Sequence, residues 1–90
     1  MKNILDYGCG NGEFLQFVSK RGLNAIGVEK SNHSLKICKK KNLKVFSTIK
    51  HLVNKKFDII SLWHGLEHVS SPSKTVSVLS TILSNKGHFV

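Results

Sequence analysis

The chain has 90 residues, 40% of them hydrophobic and 21% charged, the balance of one small water-soluble globular domain spanning 1–90. Fourteen Lys and Arg against five Asp and Glu give a formal net charge of +9, which favours polyanions such as RNA without requiring one. No apolar run approaches the roughly 20 residues of a membrane span, and the start Met1-Lys2-Asn3-Ile4-Leu5-Asp6 meets an acid before any secretory apolar core develops, so the expected location is the cytoplasm.

Asn3–Tyr7 is a short apolar run suited to a buried strand. A glycine loop follows, and Glu13–Arg21 then shows Phe14, Leu15, Phe17 and Val18 at the spacing of one helical face. Lys20-Arg21 suits the negative end of that helix, and Gly22 the left-handed cap beyond it. Ala25–Glu29 reads as a second strand that ends in an acid. Ser31 caps the next helix, which carries Leu35, Ile37 and Cys38 and closes on a lysine cluster. Leu43–Ser47 alternates as a third strand, and residues 49–54 hold one helical turn at most. Phe57–Trp63 is the most apolar run and the fourth strand.

Ser70-Ser71-Pro72 opens a helix with serine as cap and proline in the first turn. Val76, Leu79, Ile82 and Leu83 form its buried stripe, and Asn85-Lys86-Gly87 ends it, leaving His88-Phe89-Val90 as the beginning of a fifth strand. Such alternation of strand and helix predicts a parallel sheet with right-handed crossovers and helices on both faces. Cys9 and Cys38 lack any CxxC or zinc spacing and read as free thiols, Cys38 as a small core residue and Cys9 as a fit for a tight loop.

Ligands of a doubly wound sheet bind beyond the carboxyl ends of the strands, where the stretch 4-ILDYGCGNGEFL-15 lies. Gly8, Gly10 and Gly12 leave no side chain between backbone and ligand. Their spacing is G-x-G-x-G, not the G-x-G-x-x-G of dinucleotide folds, so an NAD-binding domain ranks last. Asp6 would repel a pyrophosphate but suits a ligand with positive charge. S-adenosylmethionine carries an ammonium and a sulfonium and no phosphate. Glu29, about twenty residues on, suits a ribose diol.

The chain resembles the core of a class I S-adenosylmethionine-dependent methyltransferase, particularly the small-molecule, UbiG-like branch. The matching pieces are LDYGCGNGEFL (5–15), IGVEKS (26–31), FDIISLWHGLEHVSSP (57–72) and LSNKGHFV (83–90). The resemblance implies a three-layer αβα Rossmann-like parallel sheet of order 3-2-1-4-5, here without the family's C-terminal antiparallel strands. It assigns the methionine portion of the cofactor to Asp6, Gly8, Cys9, Gly10 and Gly12, and the ribose to Glu29, with Lys30 beside the adenine. Trp63 and His64 would border cofactor and acceptor, although Trp63 equally suits a buried aromatic that ends a strand. Where family members often carry an acid after the third strand, this chain has Val45-Phe46-Ser47-Thr48, so at best a hydroxyl meets the adenine.

His64-x-x-Glu67-His68 follows the fourth strand. On one helical turn these side chains would share a face, a weak divalent-metal set. It resembles the E-x-x-E-H of ubiquinone O-methyltransferases and of enzymes that methylate the terminal ribose of small RNAs. The stronger reading makes His64 or His68 a general base for a hydroxyl acceptor, since free imidazole titrates near pH 6.5, with Glu67 a further catalytic candidate; the plainer alternative has Glu67 and His68 orient the loop. The expected function is methyl transfer to a small-molecule or biosynthetic acceptor. A non-catalytic fragment that associates through its exposed sheet edge, as a homo-oligomer, and an RNA methyltransferase remain the rivals.

Overall fold

In the computed structural model, which describes residues 2–90 and only the backbone at His68, the five apolar runs form one parallel sheet of order β3-β2-β1-β4-β5. The strands are β1 (Asn3–Tyr7), β2 (Asn24–Val28), β3 (Val45–Phe46), β4 (Phe57–Ser61) and β5 (Leu83–Phe89). The connections carry α1 (Glu13–Ser19), α2 (Asn32–Lys40) and α3 (Pro72–Ser80), with 3₁₀ turns at Ile49–Leu52 and Leu66–His68. This is the Rossmann-like three-layer arrangement, with the strand order that the resemblance implied. Among the described residues no helix is long and apolar enough to cross a membrane.

Alternation along the strands separates two cores. Leu5, Ile26, Val28 and Ile60 meet Leu52, Leu79 and Ile82 on one face of the sheet, and Phe57 joins this core from the start of β4. On the other, Leu15 of α1 and Cys38 of α2 meet Cys9, with Ala25, Leu43 and Val45 packed beside them. The second core is built of small residues. A Cβ on Gly27 would lie 2.6 Å from both Cys9 Sγ and Leu15 Cδ1, so bare backbone there lets α1 sit close to the sheet.

Several boundaries differ from the sequence reading. β3 is only two residues, not Leu43–Ser47, because it pairs on one side alone, through Gly27↔Val45 and Val28↔Phe46. β4 stops at Ser61, not Trp63, where the chain turns to bring Gly65 against Tyr7. Asn85-Lys86-Gly87 does not end a helix. α3 finishes at Ser80, where the Ser80 and Thr81 hydroxyls donate to the carbonyls of Ser77 and Val78, each at 2.6 Å. Hydroxyls that bond back in this way compete with helix continuation.

β5 therefore begins at Leu83 and runs seven residues. Its register jumps from Phe57↔Leu83 to Ile59↔His88, so residues 84–87 bulge from the ladder. The predicted caps fare better. Ser31 Oγ accepts from the Ser34 N–H at 3.3 Å, Pro72 occupies the first turn of α3, and Gly22 takes φ 80° past α1. Ser71 holds the cap position of α3 but makes no side-chain bond there.

Candidate functional site

The carboxyl ends of β1, β2 and β4 open onto two adjoining hollows. One, of about 510 Å³, is lined by Tyr7, Gly10, Val28, Glu29, Lys30 and Ser31 among others. The second, of about 390 Å³, is lined by Asp6, Asn11, Glu13, Phe14, Ser61 and Trp63 among others. Gly8 and His64 belong to both.

Parallel pairing places Asp6 between Gly27 of β2 and Ser61 of β4. Its side chain is buried (8% exposed) and hydrogen-bonded to that of Ser61. Burial pushes the Asp6 carboxyl above the usual aspartate value, the Ser61 bond and the nearby His64 pull it down, and Glu29 pushes it up again. Glu29 sits just past β2 with both oxygens engaged. The Gly10 N–H donates to Oε1 at 2.8 Å and the Ser31 N–H to Oε2 at 2.9 Å. The glycine loop is thus tied to the end of β2 by a side chain at the mouth, and each carboxylate oxygen keeps a further lone pair for a ligand.

The loop turns because Gly8 and Gly10 lie at φ 81° and 57°, a region that penalises any side chain. The N–H groups of Gly8 and Cys9 both donate to the Val28 carbonyl, at 2.8 and 3.1 Å. A Cβ at Gly10 would meet nothing within 4 Å, so the bare Gly10 backbone has open space beside it. At Gly8 a Cβ would lie 2.6 Å from Gly65 Cα, and one on Gly65 would run into the Tyr7 carbonyl. Two glycines in backbone contact therefore lock the loop onto the turn after β4.

The remaining expected residues fall as follows. Lys30 lines the larger hollow and is exposed. Cys9 lines the smaller hollow but is buried, its thiol and that of Cys38 both directed at the Gly10 carbonyl, at 3.8 and 3.3 Å. Burial pushes the Cys9 thiol well above the ordinary cysteine value and raises that of Cys38, which makes both inert core groups. Gly12 lines neither hollow. A Cβ there would run into Leu43 and lie 3.1 Å from Cys38 Sγ, so its role is to let α1 start close to α2.

Trp63 is 67% exposed and borders the smaller hollow, its ring centroid 6.2 Å from that of Phe14. It does not line the larger hollow and is not a buried strand end. His64 stands in a turn before Gly65, so His64 and Glu67 are not on one regular helical turn. Glu67 is exposed in the 3₁₀ turn, and the His68 side chain, part of both the base and the metal readings, lies outside the described residues. Among the described residues no cluster of three His, Cys, Asp or Glu side chains is arranged for a metal.

Ser61, Gly65, Phe14, Asn11 and Ser31 were not singled out from sequence as site residues. Ser61 had a usable signal, since parallel pairing of the first and fourth strands sets it beside Asp6. Gly65 had none.

A family model described as "Methyltransferase domain" matches residues 1–90. Among curated relatives, the ubiquinone biosynthesis O-methyltransferase of Alkalilimnicola ehrlichii is 25% identical over 99% of this chain and 40% of its own length. That of Colwellia psychrerythraea is 29% identical over 93% of this chain and 38% of its own. This chain thus spans about 40% of the length of these relatives.

Among solved structures, the plantazolicin methyltransferase BpumL in complex with a monoazolic desmethylPZN analog and SAH superposes with TM-score 0.87 at 27% identity, covering 98% of this chain and 37% of that one. A SAM-dependent methyltransferase from Archaeoglobus fulgidus superposes with TM-score 0.72 at 32% identity, covering 89% of this chain and 38% of that one.

Proposed function

The chain belongs to the methyltransferase-domain family, and on that footing we propose that it binds S-adenosylmethionine across the two hollows and serves methyl transfer to a small-molecule oxygen acceptor. The observation that carries this is the pair of acids at the mouth, Asp6 in one hollow and Glu29 in the other, on either side of the Gly8 backbone. No Lys or Arg lines the smaller hollow and Lys30 alone lines the larger one, so the lining suits a cationic ligand and disfavours a pyrophosphate. Gly10 leaves the room that a nucleoside needs beside the loop.

When bound, S-adenosylmethionine supplies an electrophilic methyl on a positively charged sulfur. Glu29 accepts the ribose hydroxyls while it holds the Gly10 and Ser31 amides. Asp6, ionised, balances the ligand's positive charge. His64, which lines both hollows, takes the proton that a hydroxyl acceptor releases on this reading. Phe14 and Trp63 form the apolar side along which an acceptor approaches. The oxygen-acceptor reading is supported by the O-methyltransferase names of the relatives.

Calorimetry tests the ligand. S-adenosylhomocysteine and S-adenosylmethionine are expected to bind competitively, with ATP and NADH silent. A chain that is folded by circular dichroism yet gives no heat with either sulfur ligand would exclude the reading. For His64, a His64→Ala variant of an active protein is expected to lose the ascending limb of the pH–rate profile while it keeps its affinity for S-adenosylhomocysteine. An unchanged profile would assign the proton to another group.

Asp6 gives a prediction with a definite sign. Its folded-state pKa is raised, so its contribution to stability is full below the unfolded-state value and is lost as pH rises through the folded-state value. At neutral pH the buried charge costs stability. Asp6→Asn is therefore expected to melt higher than the parent at pH 7, with the gain shrinking as pH falls through the carboxylate range, and to bind S-adenosylmethionine more weakly. Thermal melts across pH check the first part and calorimetry the second. A variant that melts lower at pH 7 contradicts the burial argument.

A further inference from the structure

We propose a second binding site, a phosphodiester-binding groove beside the ends of α1 and α2, separate from the two hollows. A cleft of about 460 Å³ lies where α1 and α2 end and β2 begins, lined by Lys20, Lys41 and Lys44 together with Gln16, Asn24 and Asn42. No acid lines it. The groove touches Asn24 and Ala25 at the start of β2, whereas the larger hollow touches Val28 at its end.

The lysines are not needed as helix caps. The Val18 carbonyl accepts from the N–H groups of Arg21 and Leu23, that of Ser19 from Gly22, and that of Phe17 from Arg21 Nη1. At the end of α2 the Cys38 carbonyl accepts from the N–H groups of Lys41 and Leu43. Lys41 Nζ is held by the Asn11 carbonyl at 2.9 Å. The ammonium groups of Lys20 and Lys44 have no hydrogen-bonding or ionic partner among the described residues. The two helix ends together supply roughly one negative charge, too little to balance three ammonium groups.

The surroundings add to the excess. Residues 30–57 hold nine lysines and no Asp or Glu. Ammonium and amide donors side by side match phosphate oxygens, and this mixture makes most contacts to nucleic-acid backbones. The cleft has no aromatic lining on which bases could stack. The groove therefore meets phosphates and not base faces, and the partner is an RNA held through its backbone, without sequence preference.

The test is fluorescence anisotropy of the 90-residue chain with labelled oligouridine and oligoadenosine. Both are expected to bind equally, with a Kd on the order of 10 µM at low salt, and with affinity that falls steeply as salt rises. Lys20→Glu/Lys44→Glu is expected to weaken binding roughly tenfold or more and to flatten the salt slope by about 1.4. Lys74→Glu/Lys86→Glu, on α3 and β5, makes the same change in net charge and is expected to have little effect. Equal weakening by the two double variants would reduce the result to net charge and overturn the groove, as would absent binding. Displacement of RNA by polyglutamate of matched charge would reassign the site to acidic proteins and likewise overturn it.

Discussion

Replacing Glu29 with alanine is expected to weaken S-adenosylhomocysteine binding by two orders of magnitude while leaving the sheet intact. The carboxylate lies at the mouth of the larger hollow and already holds the Gly10 and Ser31 amides, at 2.8 and 2.9 Å. Its removal takes away the acceptor for the ribose diol and frees the loop that borders both hollows. Hydrogen bonds to a charged group are worth about 1.5–3 kcal/mol each, so the loss of two implies about 3 kcal/mol or more, roughly a hundredfold in Kd.

Glu29→Gln should fall between, because an amide oxygen can accept one of the two loop bonds but its NH₂ cannot accept the other. Calorimetry of the three proteins decides the matter. An alanine variant that binds within about threefold of the parent, a difference below 1 kcal/mol, would remove Glu29 from the ribose contact.

The second large effect is expected at Gly8. Alanine there must adopt φ 81° and place its Cβ 2.6 Å from Gly65 Cα, with backbone rather than a flexible side chain as the obstacle. The left-handed conformation costs roughly 1–2 kcal/mol and the forced separation typically about 1–3 kcal/mol. A loss of about 3 kcal/mol from a domain of this size lowers the melting temperature by about 15 °C.

Gly65→Ala separates the two causes. Gly65 has φ −86°, which any residue adopts, so only the clash with Tyr7 remains and a smaller drop is expected. Because both substitutions need the loop and the turn to part, the double variant should lose less than the sum. Melts by circular dichroism measure all three. A Gly8→Ala protein that melts within a degree or two of the parent would contradict the backbone contact, since a clash of that kind is worth several degrees.

The legible part of this protein was whatever local pattern records. Apolar runs, caps and the glycine loop gave the elements, and the acids that end β1 and β2 pointed to the mouth before any geometry was known. Asp6 and Glu29 are legible because strand ends in a doubly wound sheet face the ligand. Gly65 is different. Inside His64–His68 it resembles one position of a helical turn, and only the adjacency of β1 and β4 reveals that it must touch Gly8, 57 positions away in the chain.

The start of β5 was hidden for a related reason. Asn85-Lys86-Gly87 has the composition of a stop signal, yet here it forms a bulge beside β4. Composition marks an irregularity without saying whether a helix or a strand contains it. Trp63 was ambiguous because a large apolar ring suits both a core and a rim, and its surroundings decided for the rim.

Among the described residues the two hollows share Gly8 and His64, which makes the site a saddle with a seat on either side. On the proposed reading adenosine would fill one seat and methionine the other, and each half alone would bind with modest affinity. Joining them turns the second encounter into an intramolecular one, and the gain from that linkage far exceeds what a mixture of the halves achieves. Selectivity for the intact ligand is thus a property of the ridge, which weighs the connection between two pieces and not either piece by itself.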